Sequence, residues 1–524
     1  MMQLTGIEDL FLRMENPSTP MHISSLTIYD PAASPGGKVG FKDIMRFFEA
    51  RMYRNKVFQH RVVPPPFGIG NSFLALDPDF DIEFHLRHIA LPKPGDWRQL
   101  CIQLARLHAR HLDTNHPLWE CYVIEGLDNI PGLPAGCFAL FLKTHYAALD
   151  GGLGTQLLAA LHELAPGGRV SLPKQLPRQT DLPGVGEMLF SSVGSSLMWP
   201  LKLGAYVSTY FSPLQMFVGN TLSELSSLPM KLLRREPELN KISAPVTPFN
   251  APVSPHRVFE AVKFDLAQLN AMRDKVSGAT VNDILLTVIA GAMRHYLEHK
   301  GCLPEADLMA EAPMTSRSEM KINSIRNLAD SAIVPLHTQC PDPLQRLKMI
   351  VAETRNHKKD FQSFLGKRLL IDATDLLPSI LLKTLGELVR RSRLGTHLAP
   401  QFNTTISSIR GPDLPLYMAG ARMVAYYGMD VVHDLAGLNH LLCYFAGSAT
   451  ISVTACRKIL PDPARYALYL QQSFEQLQAA LHTAKNPAKE SAKASAKASA
   501  KSLPIADKPA KPKRLRVVST RKAA

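Results

Sequence analysis

Residues 143–152 read KTHYAALDGG and close an apolar run, CFALFL, at 137–142. The run reads as a buried strand, CFALFLK at 137–143, that ends in a polar turn. Gly151 and Gly152 then open an amphipathic helix, LGTQLLAALHEL at 153–164, which stops before Pro166-Gly167-Gly168. Glycine lets the backbone turn from strand to helix without a Cβ clash. Side chains alternate along a strand, so His145 and Tyr146 face opposite sides if the strand persists to them. Upstream, CYVIEGL at 121–127 is a second strand, joined to the first by the turn-rich DNIPGLPAG. The segment 98–112, RQLCIQLARLHARHL, places Leu100, Leu104 and Leu107 on one helical face.

The chain has 524 residues, 46% hydrophobic and 20% charged, enough for two or more globular domains. Its seven cysteines are scattered and form no CxxC pair, a pattern of reduced thiols in a cytoplasmic protein rather than of a zinc site. The opening MMQLTGIEDLFLRMEN has no basic-then-apolar signal pattern. No Gly-x-Ser-x-Gly elbow, phosphate loop or dinucleotide fingerprint occurs, so His22 and the pair His433–Asp434 do not by themselves make a hydrolase.

Four regimes follow one another. Residues 1–180 alternate strands and helices, and 241–484 form a second alternating unit with a helix at 282–299 and a strand-rich stretch at 402–460. Between them, 181–240 is an apolar connector whose only charge from Met188 to Ser223 is Lys202. Pro200 and Pro213 disfavour a membrane-spanning helix there. Two readings stay open for this segment. It packs on the body, or it lays Phe190, Trp199, Tyr206, Tyr210 and Phe217 on a membrane or lipid-inclusion surface beside the basic KLLRR at 231–235. From Lys485 the tail is Lys/Ala-rich with an S-A-K-A repeat and carries +10 of the net +14. It holds too few large apolar groups to offset the entropy of ordering and reads as disordered when free. Its spaced lysines suit polyanions, DNA or anionic lipid.

Residues 143–152 resemble the HHxxxDG signature of the bacterial wax ester synthase/acyl-CoA:diacylglycerol acyltransferase family, within the CoA-dependent acyltransferases. Further blocks carry the resemblance in order. They are the opening LTGIEDLFLRMENPSTPMH, Pro117-Leu118-Trp119, TVNDILLTVIAGAMRHYLEH at 280–299, FNTTISSIRGPDLPLYMAGARM at 402–423, and AGLNHLLCYFAG at 436–447. The resemblance implies an α/β fold of two chloramphenicol-acetyltransferase-like domains with mixed sheets and the active site in a channel between them. It further implies an O-acyltransferase of neutral-lipid synthesis that uses acyl-CoA as substrate, with diacylglycerol or a long-chain alcohol as acceptor and no further cofactor. A catalytically silent lipid-binding or granule-surface protein of the same fold is the alternative.

Esterification requires a base for the alcohol proton and support for the developing oxyanion. In the family the second His of the motif is that base. Aligned on Lys143, His145, Asp150 and Gly151, this chain holds Tyr146 there. A phenol with an ordinary pKa near 10 needs a nearby cation to serve as a base at neutral pH. His145 replaces it only if the strand end slips by one residue. Asp150 and Gly151 are implied to shape the loop. In the Asn282–Asp283 pair, Asn282 is a candidate to orient substrate or support the oxyanion, and Thr280-x-x-Asp283 is also a capping-box pattern. Arg326, the stretch Ser407–Gly411 and Cys456 depart from the residues the family tends to carry.

Overall fold

A computed structural model describes residues 2–68, 70–149, 155–167, 184–190, 244–313, 331–357, 384, 386–387, 399–412 and 414–483. The connector core at 191–243, the Arg326 region, the tail, Asp150 and Gly151 lie outside the described residues.

The first half contributes strands β1 (Met2–Gln3), β2 (His22–Asp30), β3 (His60–Val63), β4 (Phe73–Leu76), β5 (Leu86–Ala90), β6 (Trp119–Glu125) and β7 (Phe138–His145). Its helices are α1 (Gly6–Met14), α2 (Phe41–Glu49), α3 (Ile82–His85), α4 (Trp97–His108) and α5 (Thr155–Leu161). The second half contributes β8 (Arg257–Asp265), β9 (Met309–Pro313), β10 (Ser331–Pro335), β11 (Thr404–Arg410), β12 (Tyr417–Met418), β13 (Ala421–Met429), β14 (Leu438–Phe445) and β15 (Ser448–Cys456). Its helices are α6 (Leu266–Arg273), α7 (Val281–His299), α8 (Pro343–His357) and α9 (Pro463–Thr483).

Two six-stranded mixed sheets result, ordered β12-β13-β2-β7-β6-β5 and β10-β9-β11-β14-β15-β8, beside a small sheet β1-β4-β3. β7 is the antiparallel neighbour of both β2 and β6, so its eight residues are all buried. Its alternation sorts two cores. Leu140 and Leu142 pack with Phe47 and Phe48 of α2 and Leu157 and Leu161 of α5. Ala139 and Phe141 pack on the opposite face with Leu100, Leu104 and Leu107 of α4. The leucine stripe expected on α4 is therefore the face that meets the sheet. In the second half, α7 is buried from Asp283 to Met293 and carries the core between its sheet and α9.

The sheets do not respect a boundary drawn through 181–240. β12 and β13, inside the stretch assigned to the 241–484 unit, complete the first sheet, where β13 pairs with β2 from Arg422↔Asp30 to Met429↔Ser24. This corrects the simple division by composition. Strand pairing is a long-range choice, and the alternating pattern of ARMVAYYGM fits either sheet. A register shift between Met423 and Ala425 marks a bulge in β13. The strand also ties the two sheets together, because Gly428 N donates to Ser452 Oγ at 3.4 Å and Thr450 Oγ1 donates to Tyr426 O at 3.2 Å.

Gly428 has a steric reason to be glycine. A Cβ there would lie 2.3 Å from Cδ2 of the buried Leu441. Gly428→Ala is expected to cost roughly 1–3 kcal/mol by overpacking and to lower the melting temperature by several degrees in a calorimetric scan. An unchanged melting temperature would show that the sheets are not in close contact here.

Candidate active site

β7 ends at His145, and a 3-10 turn takes over at Tyr146–Ala148. His145 makes that turn. Its backbone N donates to Leu118 O at 3.0 Å, and its Nδ1 accepts the Ala147 N–H at 3.0 Å. With Nδ1 an acceptor, Nε2 carries the proton and points at Glu15 Oε2, 3.7 Å away. His145 is fully buried and sits opposite His22 in the β2–β7 register. The strand has not slipped. The catalytic role expected for His145 under a slipped register has no geometric basis, because this side chain caps a turn and faces α1.

Glu15 joins three neighbours. It accepts from His111 Nδ1 at 2.9 Å and from Met21 N at 3.2 Å, and it faces His145. Burial alone would raise its carboxyl, but the His111 and His145 interactions outweigh burial and hold it at about 2. On the same sheet face Lys143 is fully buried, with Nζ 2.7 Å from Arg110 O and 3.4 Å from Glu120 Oε2. Burial pushes its amine down to about 8 against the opposing pull of Glu120. His22 donates from Nε2 to His108 O at 2.7 Å, and His108 Nδ1 lies 2.7 Å from Ser24 Oγ. Burial first, then neighbouring cations, holds His22 well below its usual range and His108 at about 3, so both are neutral imidazoles.

Tyr146 leaves the strand in the other direction. Its N donates to Met21 O at 3.0 Å, its ring lies 5.3 Å from that of Phe11, and it keeps partial exposure. The hydroxyl donates to Asp430 Oδ1 at 2.5 Å. Asp430 is the first residue after β13 and is buried. Its Oδ1 also accepts from Val431 N at 2.8 Å, and its Oδ2 accepts from Ser407 Oγ of β11 at 3.1 Å. Burial, and then the Asp430 charge, pushes the phenol well above 10. Tyr146 is thus a neutral hydrogen-bond donor at physiological pH. The cation that a phenolate base would need is replaced by an anion.

Asp283 closes a capping box. Its Oδ2 accepts from Thr280 N at 2.8 Å and Thr280 Oγ1 at 2.7 Å, and its Oδ1 accepts from Thr354 Oγ1 of α8 at 2.9 Å. Its carboxylate therefore fixes the start of α7. Asn282 is half-buried on the first turn, and among the described residues no hydrogen bond joins it to Tyr146 or Asp430. The second half supplies Asp430 and Ser407 instead. Sequence reading missed Asp430 beside the more conspicuous His433–Asp434, whose Asp434 Oδ1 accepts from Val253 N at 2.8 Å. The only local signal was a carboxylate at the end of an apolar alternation. Cys456 accepts from Ser254 N at 3.2 Å and faces Arg257 across the β15–β8 register.

Beside the turn, Thr144 and Leu149 border a small, largely apolar cavity. Leu140, Leu142, Leu157 and Ile409 line it, as does the Tyr29–His162 pair, joined Oη to Nε2 at 2.6 Å. Ile409 lies two residues from Ser407 on β11.

This two-sheet arrangement is shared with solved structures. A wax ester synthase/diacylglycerol acyltransferase from Marinobacter aquaeolei VT8 aligns with a TM-score of 0.64 at 23% identity, over 92% of this chain and 100% of that one. The first condensation domain of the calcium-dependent antibiotic synthetase aligns with a TM-score of 0.51 at 13% identity, over 93% and 97% of the two chains. The expected two-domain, chloramphenicol-acetyltransferase-like α/β fold is the one observed.

Sequence comparison defines the family. Residues 4–285 match the wax ester synthase/diacylglycerol acyltransferase catalytic domain, and residues 327–478 match the C-terminal domain of the same family. A Mycobacterium tuberculosis protein named "probable diacylglycerol O-acyltransferase" is 30% identical over 90% of this chain and 98% of its own length. The O-acyltransferase WSD of Acinetobacter baylyi is 28% identical over 92% and 98%. The chain belongs to the wax ester synthase/diacylglycerol acyltransferase family.

The Glu15 network generates a pH signature. A carboxyl held at about 2 instead of 4.5 contributes stability above pH 4.5 that is lost as pH falls toward 2. His111, raised by its hydrogen bond to Glu15, contributes stability below 6.5 that is lost as pH rises through its elevated value. The two windows overlap between about pH 4.5 and 6.5. Glu15→Gln is expected to be less stable than wild type by on the order of 2–3 kcal/mol in that window. The gap should narrow toward pH 2 and, more gently, above neutrality. Urea titrations across pH check this, and a gap independent of pH would contradict it.

Proposed function

We propose that this protein is an acyl-CoA-dependent O-acyltransferase of neutral-lipid synthesis that esterifies diacylglycerol or a long-chain alcohol. The observation that carries the reading is the hydrogen bond from the Tyr146 hydroxyl, at the end of β7, to Asp430 of the second half. Family membership supports it. The alcohol oxygen attacks the thioester carbonyl, the C–S bond breaks, and the alcohol proton ends on the CoA sulfur. This chemistry needs a proton route, oxyanion donors and water exclusion, with no group beyond the CoA thioester. Tyr146, as a neutral donor, meets part of that demand.

No helix among the described residues is long and apolar enough to cross a membrane. Supply of water-insoluble substrate then calls for peripheral contact with a membrane or lipid inclusion from the cytoplasmic side, with the 181–240 segment and the 485–524 tail as the contacting parts. The low charge and aromatic residues of the first and the lysine repeats of the second support that assignment.

Purified protein is expected to release CoA from palmitoyl-CoA when dodecanol or diacylglycerol is added, with the ester identified by mass spectrometry. Binding of palmitoyl-CoA without CoA release for either acceptor would make it a lipid-binding protein instead. Removing residues 485–524 should leave turnover on soluble substrate unchanged and weaken retention on anionic vesicles, most at low salt. Equal retention of both forms would show that the tail is not an anchor.

A further inference from the structure

We propose that Asp430, acting through the hydroxyl of Tyr146, is the proton acceptor for the attacking alcohol. The proposal rests on the acyltransferase reading above and deepens it by naming the proton's route.

The geometry restricts the choice of base. His145 is spent on the Ala147 N–H and faces Glu15, while His22 and His108 are fully buried and held by hydrogen bonds to His108 O and Ser24 Oγ respectively. Of these four side chains Tyr146 is the one with partial exposure, and it points at a carboxylate 2.5 Å away. That carboxylate is oriented by Val431 N on one oxygen and by Ser407 Oγ on the other. A free phenolate is disfavoured here by burial and by the adjacent negative charge, so stepwise ionisation of Tyr146 is not available. A concerted shift avoids it.

The alcohol donates its proton to Tyr146 Oη as its oxygen bonds to the thioester carbon, and the Tyr146 proton passes to Asp430 Oδ1. The carbonyl electron pair moves onto its oxygen. On collapse the C=O bond re-forms and the C–S bond breaks with its pair on sulfur. Asp430 then returns the proton through Tyr146 to the CoA thiolate. Tyr146 touches substrate and is the catalytic residue; Asp430 acts through it.

Titratable neighbours of the pair are accounted for. His108 of α4, whose Nε2 is 3.3 Å from Asp430 O, is held at about 3, and Cys443 of β14 is pushed up to about 12 by burial. Lys143 of β7, lowered to about 8 by burial, and His111, raised by its hydrogen bond to Glu15, face the Glu120 and Glu15 side. Glu15 after α1 stays ionised. All of these are common to wild type and to position-146 variants, so a difference profile isolates residue 146.

The test measures kcat/KM for palmitoyl-CoA with dodecanol in wild type, Tyr146→Phe, Asp430→Asn, Tyr146→His and Tyr146→His/Asp430→Asn, with proton inventories in mixed H2O/D2O. Tyr146→Phe and Asp430→Asn should each fall ~10²-fold or more, the range of general-base catalysis. A bowed inventory, from two protons in flight, is expected in wild type and a linear one in Tyr146→His. The histidine variant should gain an acid limb near its ordinary value, about 6.5, that wild type lacks. Tyr146→His should also rescue the Asp430→Asn background, which a purely structural Asp430 would not allow. Should Asp430→Asn melt early, the wild-type inventory and the Tyr146→His pH limb still decide. Wild-type turnover that survives Tyr146→Phe, or a linear wild-type inventory, overturns the relay while leaving the acyltransferase reading intact. Absence of wild-type turnover with every alcohol overturns that reading, and the relay with it.

Discussion

The antiparallel pairing of β13 with β2 is the constraint on which the arrangement depends. It begins at Arg422↔Asp30 and ends at Met429↔Ser24, one residue before Asp430. β2 in turn fixes β7 through the register that sets His22 opposite His145. A strand from one half of the chain is thus hydrogen-bonded into the sheet of the other. Where its pairing stops, it delivers a carboxylate to the side chain that follows β7. The contact at Tyr146 is set by backbone register, which specifies position more tightly than docking two loops would.

The substitution of a phenol for an imidazole reads differently in this setting than in sequence alone. A phenol near a cation would be a latent base, whereas a phenol bonded to a buried carboxylate is a locked donor. Meanwhile His145 is drawn into a separate network with Glu15 and His111 that holds α1 against the end of β7. The two neighbours in sequence serve different ends because β7 stops between them, His145 closing the strand and Tyr146 opening the turn.

Local features were legible in the sequence to the extent that local physics decides them. The leucine spacing placed α4, the apolar run placed β7, and Thr280-x-x-Asp283 announced the capping box that opens α7. Family blocks carried the two-domain fold. The migration of β12 and β13 into the first sheet was not legible, because alternation states that a strand has two faces and not which partner it takes. Asp430 was hidden for the same reason. Its importance comes from a partner 284 positions away in the chain. The His433–Asp434 pair drew notice by adjacency, yet it holds a loop through Val253 N and its own backbone.

The most direct measurement is a double-mutant cycle in urea denaturation between Tyr146→Phe and Asp430→Asn, which reads the contact whether or not turnover is assayed. If β13 brings Asp430 onto Tyr146 as described, the two changes are coupled by roughly 1–3 kcal/mol, as for a buried hydrogen bond to a charged group. Effects that add to within about 0.5 kcal/mol would mean that the two residues do not meet, and the account of the site would fail with them.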